Sequence, residues 1–225
     1  KLKKIFFFNL FMIKNLNILV LLLLSVNCKA QNPIIPRYNN GATFGEVNNA
    51  YYKDVDNFLN QFEGIWQYTT TTDTLTVRFV KKLKMKLTYG RIFYYTDFLV
   101  GEFRYVENGV EKTNTLSNLS INHLNAFNYN LYSSSKIGKY NYPRCNECED
   151  NVERLRITFD EPANDDDMLA ADFVIRHEIE AGVEKIKVQF ILMTSPIGIK
   201  KDTDTTPSVA RKHTIPYGNY TLIKQ

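Results

Sequence analysis

From residue 65 onward the apolar side chains of this chain recur at every second position, and that period constrains its fold more than any other feature. Thr74 to Lys86 sets Leu75, Val77, Phe79, Leu83 and Met85 on one side, with Thr76, Arg78, Val80, Lys82, Lys84 and Lys86 on the other. Successive side chains of a strand point to opposite faces, so this run predicts a half-buried antiparallel strand with one wet face. The alternation returns in Leu155, Ile157 and Phe159; in Leu169, Ala171, Phe173, Ile175 and Ile179; and in Ile186, Val188, Phe190 and Leu192. Asn108-Gly109 and Ala181-Gly182 sit where tight hairpins need them, because the favoured two-residue turns require positive φ. Fourteen tyrosines and fifteen phenylalanines agree with pleated, half-buried surfaces. One stretch departs from the period: Val55, Phe58, Leu59 and Phe62 are spaced by three and four and stop at Gly64, which predicts one short N-terminal helix. Eight to ten strands on short turns give an all-β fold, an antiparallel meander forming a barrel or a sandwich.

The first thirty residues read differently. Met12-Ile-Lys14 is followed by an apolar run from Leu16 to Val26, and then by Asn27-Cys28-Lys29-Ala30-Gln31. A basic start, an apolar middle and a small residue before a polar segment are the parts of a secretory leader. The expectation is that translation starts at Met12, that residues 1–30 are a signal peptide cut after Ala30, and that the protein is secreted, periplasmic or held in the outer envelope. The eleven-residue apolar run is shorter than the 18 or so residues a spanning helix needs. Cys28 leaves open a second reading, as a lipid-bearing cysteine that would tether the protein to a membrane. Residues 31–53 are expected to be an irregular segment over the surface, and residues 54–225 one barrel-like domain.

Removing the leader changes the charge. Five of the 28 basic residues and no acid lie in residues 1–30, which leaves 23 basic against 24 acidic residues in the remainder. A nucleic-acid binder carries a basic surplus on its folded part, so nucleic acid is excluded as a partner. A monomer is expected.

Cys145 and Cys148 have a spacing found in redox pairs and in half of a zinc site. Their loop, residues 133–151, is rich in Asn, Pro and Ser rather than opening a helix, and no second cysteine pair is present. In an oxidising compartment the expectation is a small loop-stapling disulfide. The acidic stretch Asp160 to Asp167 reads as a solvated turn, and no metal ligand set is expected. The lysines at 82, 84 and 86 read as protection of an exposed strand. His123 and His213 fall in loops and suggest nothing. His177 is the oddity: strict alternation places its ring on the apolar face with Phe173, Ile175 and Ile179, where it needs a polar partner or a wet cavity. No nucleophile, phosphate-loop or metal-helix motif occurs, so neither an enzyme nor a cofactor is expected.

Phe62-Glu-Gly-Ile-Trp66, the stretch Leu99 to Gly109 and the closing Tyr220 to Gln225, with a leader ending Ala-Gln, resemble an uncharacterised family of small exported proteins from flavobacteria and other Bacteroidota. That resemblance implies a Gram-negative envelope and brings no activity. Gly64-Ile-Trp66 also resembles the Gly-x-Trp opening of lipocalins. In that family the tryptophan plugs the closed end of an eight-stranded barrel beneath an arginine from near the C-terminus. Here the last strand offers only Lys224, and Thr96-Asp97-Phe98, which resembles a second lipocalin signature, follows the tryptophan too soon. The resemblance implies a lipocalin-like barrel; on physical grounds Trp66 is a core aromatic closing one end.

Two functions follow. The first is carriage of a small apolar ligand inside the barrel, with His177 as polar anchor among Phe173, Ile175 and Trp66. The second is a structural or glycan- and protein-interacting module of the cell envelope with a solid core.

Overall fold

The alternating runs become strands of a single sheet that closes on itself. The computed structural model describes residues 32–38, 44–162, 169–193 and 213–225. Its strands are β1 (Ile34–Pro36), β2 (Tyr51–Lys53), β3 (Gly64–Thr69), β4 (Asp73–Tyr89), β5 (Ile92–Glu107), β6 (Val110–Asn114), β7 (Leu131–Ile137), β8 (Arg154–Phe159), β9 (Ala171–Glu180), β10 (Val183–Leu192) and β11 (Gly218–Lys224). Eight of them form a ring in the order β5-β4-β3-β11-β10-β9-β8-β7 and back to β5, with every neighbour antiparallel. The fold is therefore all-β, and of barrel and sandwich it is the closed barrel. The hairpin turns fall where positive φ was expected, at Asn108 (49°) and Gly109 (76°) and at Ala181 (51°) and Gly182 (79°).

Closure is narrow. The β4–β5 ladder runs from Asp73 opposite Glu107 to Tyr89 opposite Ile92, whereas β5 and β7 meet only at Val100 opposite Tyr132 and Gly101 opposite Leu131. Side chains replace the missing ladder bonds on either side. The Leu99 N–H donates to Ser133 Oγ at 3.0 Å, and Thr115 Oγ1 accepts from the Phe103 N–H at 3.0 Å. Gly101 sits at the junction because a Cβ there would lie 2.5 Å from Phe79 Cδ1 and 2.8 Å from the Arg78 carbonyl.

Several expectations need correction. In place of the expected helix stands a single five-residue 3-10 helix, Phe58–Phe62. Left-handed Asn57 (φ 55°) and Gly64 (φ 127°) bound it and leave room for no more. Its free amides are held by Asp54, whose carboxylate accepts from Phe58 N–H at 2.9 Å and Leu59 N–H at 3.0 Å. The expected single apolar face of β4 is also broken. Lys82 faces Phe98 while Met85 faces Thr96, so Leu83 and Lys84 together oppose Asp97 in a β-bulge. Beyond it Met85 turns to the outer face and Leu83 is 65% exposed. Asp97 Oδ1 accepts the Lys84 N–H that the bulge frees, at 2.9 Å. Residues 31–53, read as an irregular drape, instead supply β1 and β2, which extend the sheet in parallel from the β5 edge. Tyr52 of β2 packs with Met85, Leu87, Tyr94 and Phe98 in a second apolar cluster outside the barrel.

The main core lies inside the barrel: Leu75, Val77, Phe79, Leu99, Phe103, Leu155, Ile157, Phe159, Phe173, Ile175, Ile186, Val188 and Phe190 belong to one cluster. Leu59, Phe62 and Trp66 close one end and Ile215 lies buried at the other. The expected leader, with Met12 and Cys28, and most of the loop from Thr194 to Pro216 lie outside the described residues, as do residues 163–167 of the acidic stretch.

Candidate functional site

Three places gather polar side chains around this apolar barrel. The first is the end closed by Trp66. His177 lies on the inward side of β9, opposite Ile186, with its side chain 14% exposed at the rim. Its ring stands edge-on to Trp66, centroids 6.0 Å apart, and its Nε2 lies 3.3 Å from Glu184 Oε2. Glu184 also accepts from Lys224 Nζ at 2.6 Å, and that ammonium sits 5.3 Å above the Trp66 ring. Lys224 thereby holds the carboxyl of Glu184 below its usual range. The indole N–H donates to the Phe62 carbonyl at 2.8 Å. His177 finds the partner its position demands in Glu184. Phe173 and Ile175 lie deeper, in the core, whereas Ile179, expected inward beside them, is 66% exposed because β9 runs past the rim.

At the opposite end the interior is aromatic. Phe159 lies 4.8 Å from Phe103, 5.1 Å from Phe173 and 4.8 Å from Phe190, centroid to centroid. His213, which the sequence left as a loop residue, is buried against Phe159 and pairs through Nδ1 with Tyr217 Oη at 2.7 Å. Burial holds its imidazole below the usual value. Glu161 is buried beside it and accepts from the Thr214 N–H at 2.9 Å.

The second place is a cleft of about 270 Å³ on the outer face of β9, β10 and β11. Residues of three strands meet there in two rungs. Arg176 is opposite Lys187, which is opposite Thr221; Val174 is opposite Gln189, which is opposite Asn219. The loop from Gly138 to Glu153 stands over one side, with Glu147 on its wall. Cys145 and Cys148 staple this loop as a disulfide, Cα atoms 5.4 Å apart. Arg154 holds it from beneath: NH1 donates to the Pro143 carbonyl at 2.6 Å, and NH2 to the carbonyls of Gly138 at 2.7 Å and Asn141 at 3.1 Å. The same guanidinium donates to Gln189 Oε1 at 2.8 Å. Arg156 reaches the Tyr142 carbonyl and pairs with Asp172 at 2.8 Å. Of these residues, Arg176 opposite Lys187 was legible once Ala181-Gly182 was read as the turn, since the hairpin register then follows. Arg154, Asn219 and Thr221 carried no signal, because only ring closure and loop packing bring them there.

The third place, a cleft of about 390 Å³ beside the 3-10 helix, is charged but spent. Lys81 Nζ donates to Asp54 Oδ2 at 2.8 Å and Asn60 Oδ1 at 2.6 Å. Asp97 accepts from Tyr51 Oη–H at 2.5 Å and from the Asp54 N–H at 3.0 Å. These buried acids brace the bulge and the helix. Among the described residues no group of three or more His, Cys, Asp or Glu could hold a metal ion, and no helix is long and apolar enough to cross a membrane.

Comparison with known proteins gives one positive result. A family model described as a family of unknown function (DUF6705) matches residues 12–225. No curated protein and no solved structure matches.

Proposed function

We propose, for a chain that belongs to the DUF6705 family of unknown function, that it is an exported interaction module of the cell envelope, working through its outer surface around a solid barrel. The observation that carries this reading is the aromatic packing of Phe103, Phe159, Phe173 and Phe190 across the interior, with centroids 4.7–5.1 Å apart. An eight-stranded barrel is just wide enough to be filled by its own side chains or to hold one small ligand. Here the space is taken by rings. The Trp66 end is sealed beneath the His177–Glu184–Lys224 cluster, so the residues that would line an apolar site are already in contact with protein. Export is supported by the leader-like residues 12–30 and by the Cys145–Cys148 disulfide, a bond that persists in oxidising compartments.

Native mass spectrometry of protein purified without detergent tests the reading. The folded protein should weigh the same as its denatured chain, and His177→Phe should change stability and nothing else. A copurifying apolar molecule that is retained by the native protein and lost in His177→Phe would overturn the solid module in favour of ligand carriage.

A further inference from the structure

We infer that the outer cleft of β9, β10 and β11 binds a carboxylate-bearing saccharide, a uronic acid unit of an anionic glycan; the inference rests on the surface-working module proposed above. The two rungs of this cleft divide its chemistry. Arg176 and Lys187 face each other across the β9–β10 ladder, and both reach the carboxylate of Glu178, which brings their charged heads together. Among the residues lining the cleft, Arg154, Arg176 and Lys187 oppose the single carboxylate of Glu147. On the neighbouring strand, Asn219 and Thr221 stand in register with Gln189 and Lys187 and line the same cleft. A cationic pair beside amide and hydroxyl groups matches a ring that carries one carboxylate and several hydroxyls.

The present partners of the cations are partly exposed carboxylates. Arg176 NH2 lies 3.4 Å from Glu147 Oε1 and 3.8 Å from Glu178 Oε2, and Lys187 Nζ lies 3.2 Å from Glu178 Oε1. Glu147 is largely exposed on the loop wall, so a ligand carboxylate can take its place at Arg176 without uncovering a buried charge. The wall itself is fixed before binding. The disulfide and the carbonyl contacts of Arg154 hold the loop, so little ordering cost falls on the ligand. An extended acidic peptide fits less well: both edges of β10, the central strand of the cleft, are paired within the ring, so a peptide backbone there has no ladder to join. Polar lining argues against an apolar molecule.

Titration calorimetry at low ionic strength with trigalacturonic acid, and with its fully methyl-esterified form as the uncharged control, tests the site. The acid should bind at least about tenfold more tightly than the ester, and raised salt should weaken it. Arg176→Gln and Lys187→Gln should each weaken the acid about tenfold, the loss of one charge-assisted hydrogen bond. Lys187 lies on the sheet away from the loop, so its variant keeps the test valid if Arg176→Gln loosens the wall. Glu147→Gln should tighten binding, which a merely structural role would not do. Equal binding of acid and ester, no binding of the acid, or unchanged affinity in folded Lys187→Gln overturns the inference. So does a polyglutamate peptide that binds as tightly as the saccharide. Because the native mass of the barrel is measured separately, failure here leaves the solid-module reading standing, and a copurified apolar ligand would strike that reading alone.

Discussion

Gly101 shows how one residue controls closure. Its Cα faces Phe79 and the Arg78 carbonyl so closely that any side chain must displace a core ring or a backbone. Gly101→Ala is expected to cost about 1–3 kcal/mol through overpacking, read as a lower denaturant midpoint at unchanged slope. His213 gives a second residue-scale expectation. Desolvation lowers its pKa in the fold, against the opposing pull of Glu161 and Asp160, with Tyr217 as its hydrogen-bond partner. A depressed folded pKa means that the unfolded chain takes up the proton first. Stability from neutral His213 is then complete above the ordinary value near 6.5 and is lost as pH falls below it. The stability advantage of the wild type over His213→Gln should therefore shrink between pH 7.5 and pH 5. Parallel pH profiles for the two proteins would refute the assignment.

At the scale of elements, the Gly138–Glu153 loop is held by two devices of unequal weight. Its disulfide closes only a few residues, and chain-entropy arguments give it about 2 kcal/mol at most. Arg154, buried, donates to the carbonyls of Pro143, Gly138 and Asn141, which lose their partners together if it is removed. Replacing both cysteines by serine should thus lower the unfolding midpoint less than Arg154→Leu, for which a loss of about 3–5 kcal/mol is expected. The reverse order would mean that the staple, not the arginine, organises the loop. The β4 bulge is the other element-scale device. It turns Met85 and Leu87 outward to a second cluster, and it leaves lysines along the strand beyond β3, where unguarded edges invite pairing.

For the whole molecule, the ring is only as continuous as its narrowest ladder. Two residue pairs join β5 to β7 and two join β11 to β3, whereas β9 and β10 share ten. Subglobal opening should follow the seam with fewest buried ladder bonds. Amide exchange is expected to be fastest, among the ring strands, at these two seams, around Tyr132 on β7 and Ile223 on β11, and slowest at Ile186–Phe190 on β10. Uniform protection around the ring would show that Ser133 and Thr115 substitute fully for backbone pairing at the seam.

How much of this was legible follows from which forces are local. Alternation along 155–159, 169–175 and 186–192 wrote the inward faces directly, because a strand exposes its side chains with a period of two whatever it pairs with. Asn108-Gly109 and Ala181-Gly182 wrote their turns, since positive φ is a property of the residue and its neighbour. The spacing of Cys145 and Cys148 allowed the pair that formed. The bulge at Leu83–Lys84 left no such mark: it exists because Asp97, from another strand, accepts the amide that the bulge frees. Ile34–Pro36 and Tyr51–Lys53 become strands only because β5 offers an edge to pair with. His177 was placed on the correct face by its period, yet its partners Glu184, Lys224 and Trp66 converge only when β11 pairs with both β10 and β3. The sequence by itself determined strands, turns and faces. Tertiary structure alone decided closure, the packing of the interior and the outer cleft, because those depend on contacts between residues far apart in the chain.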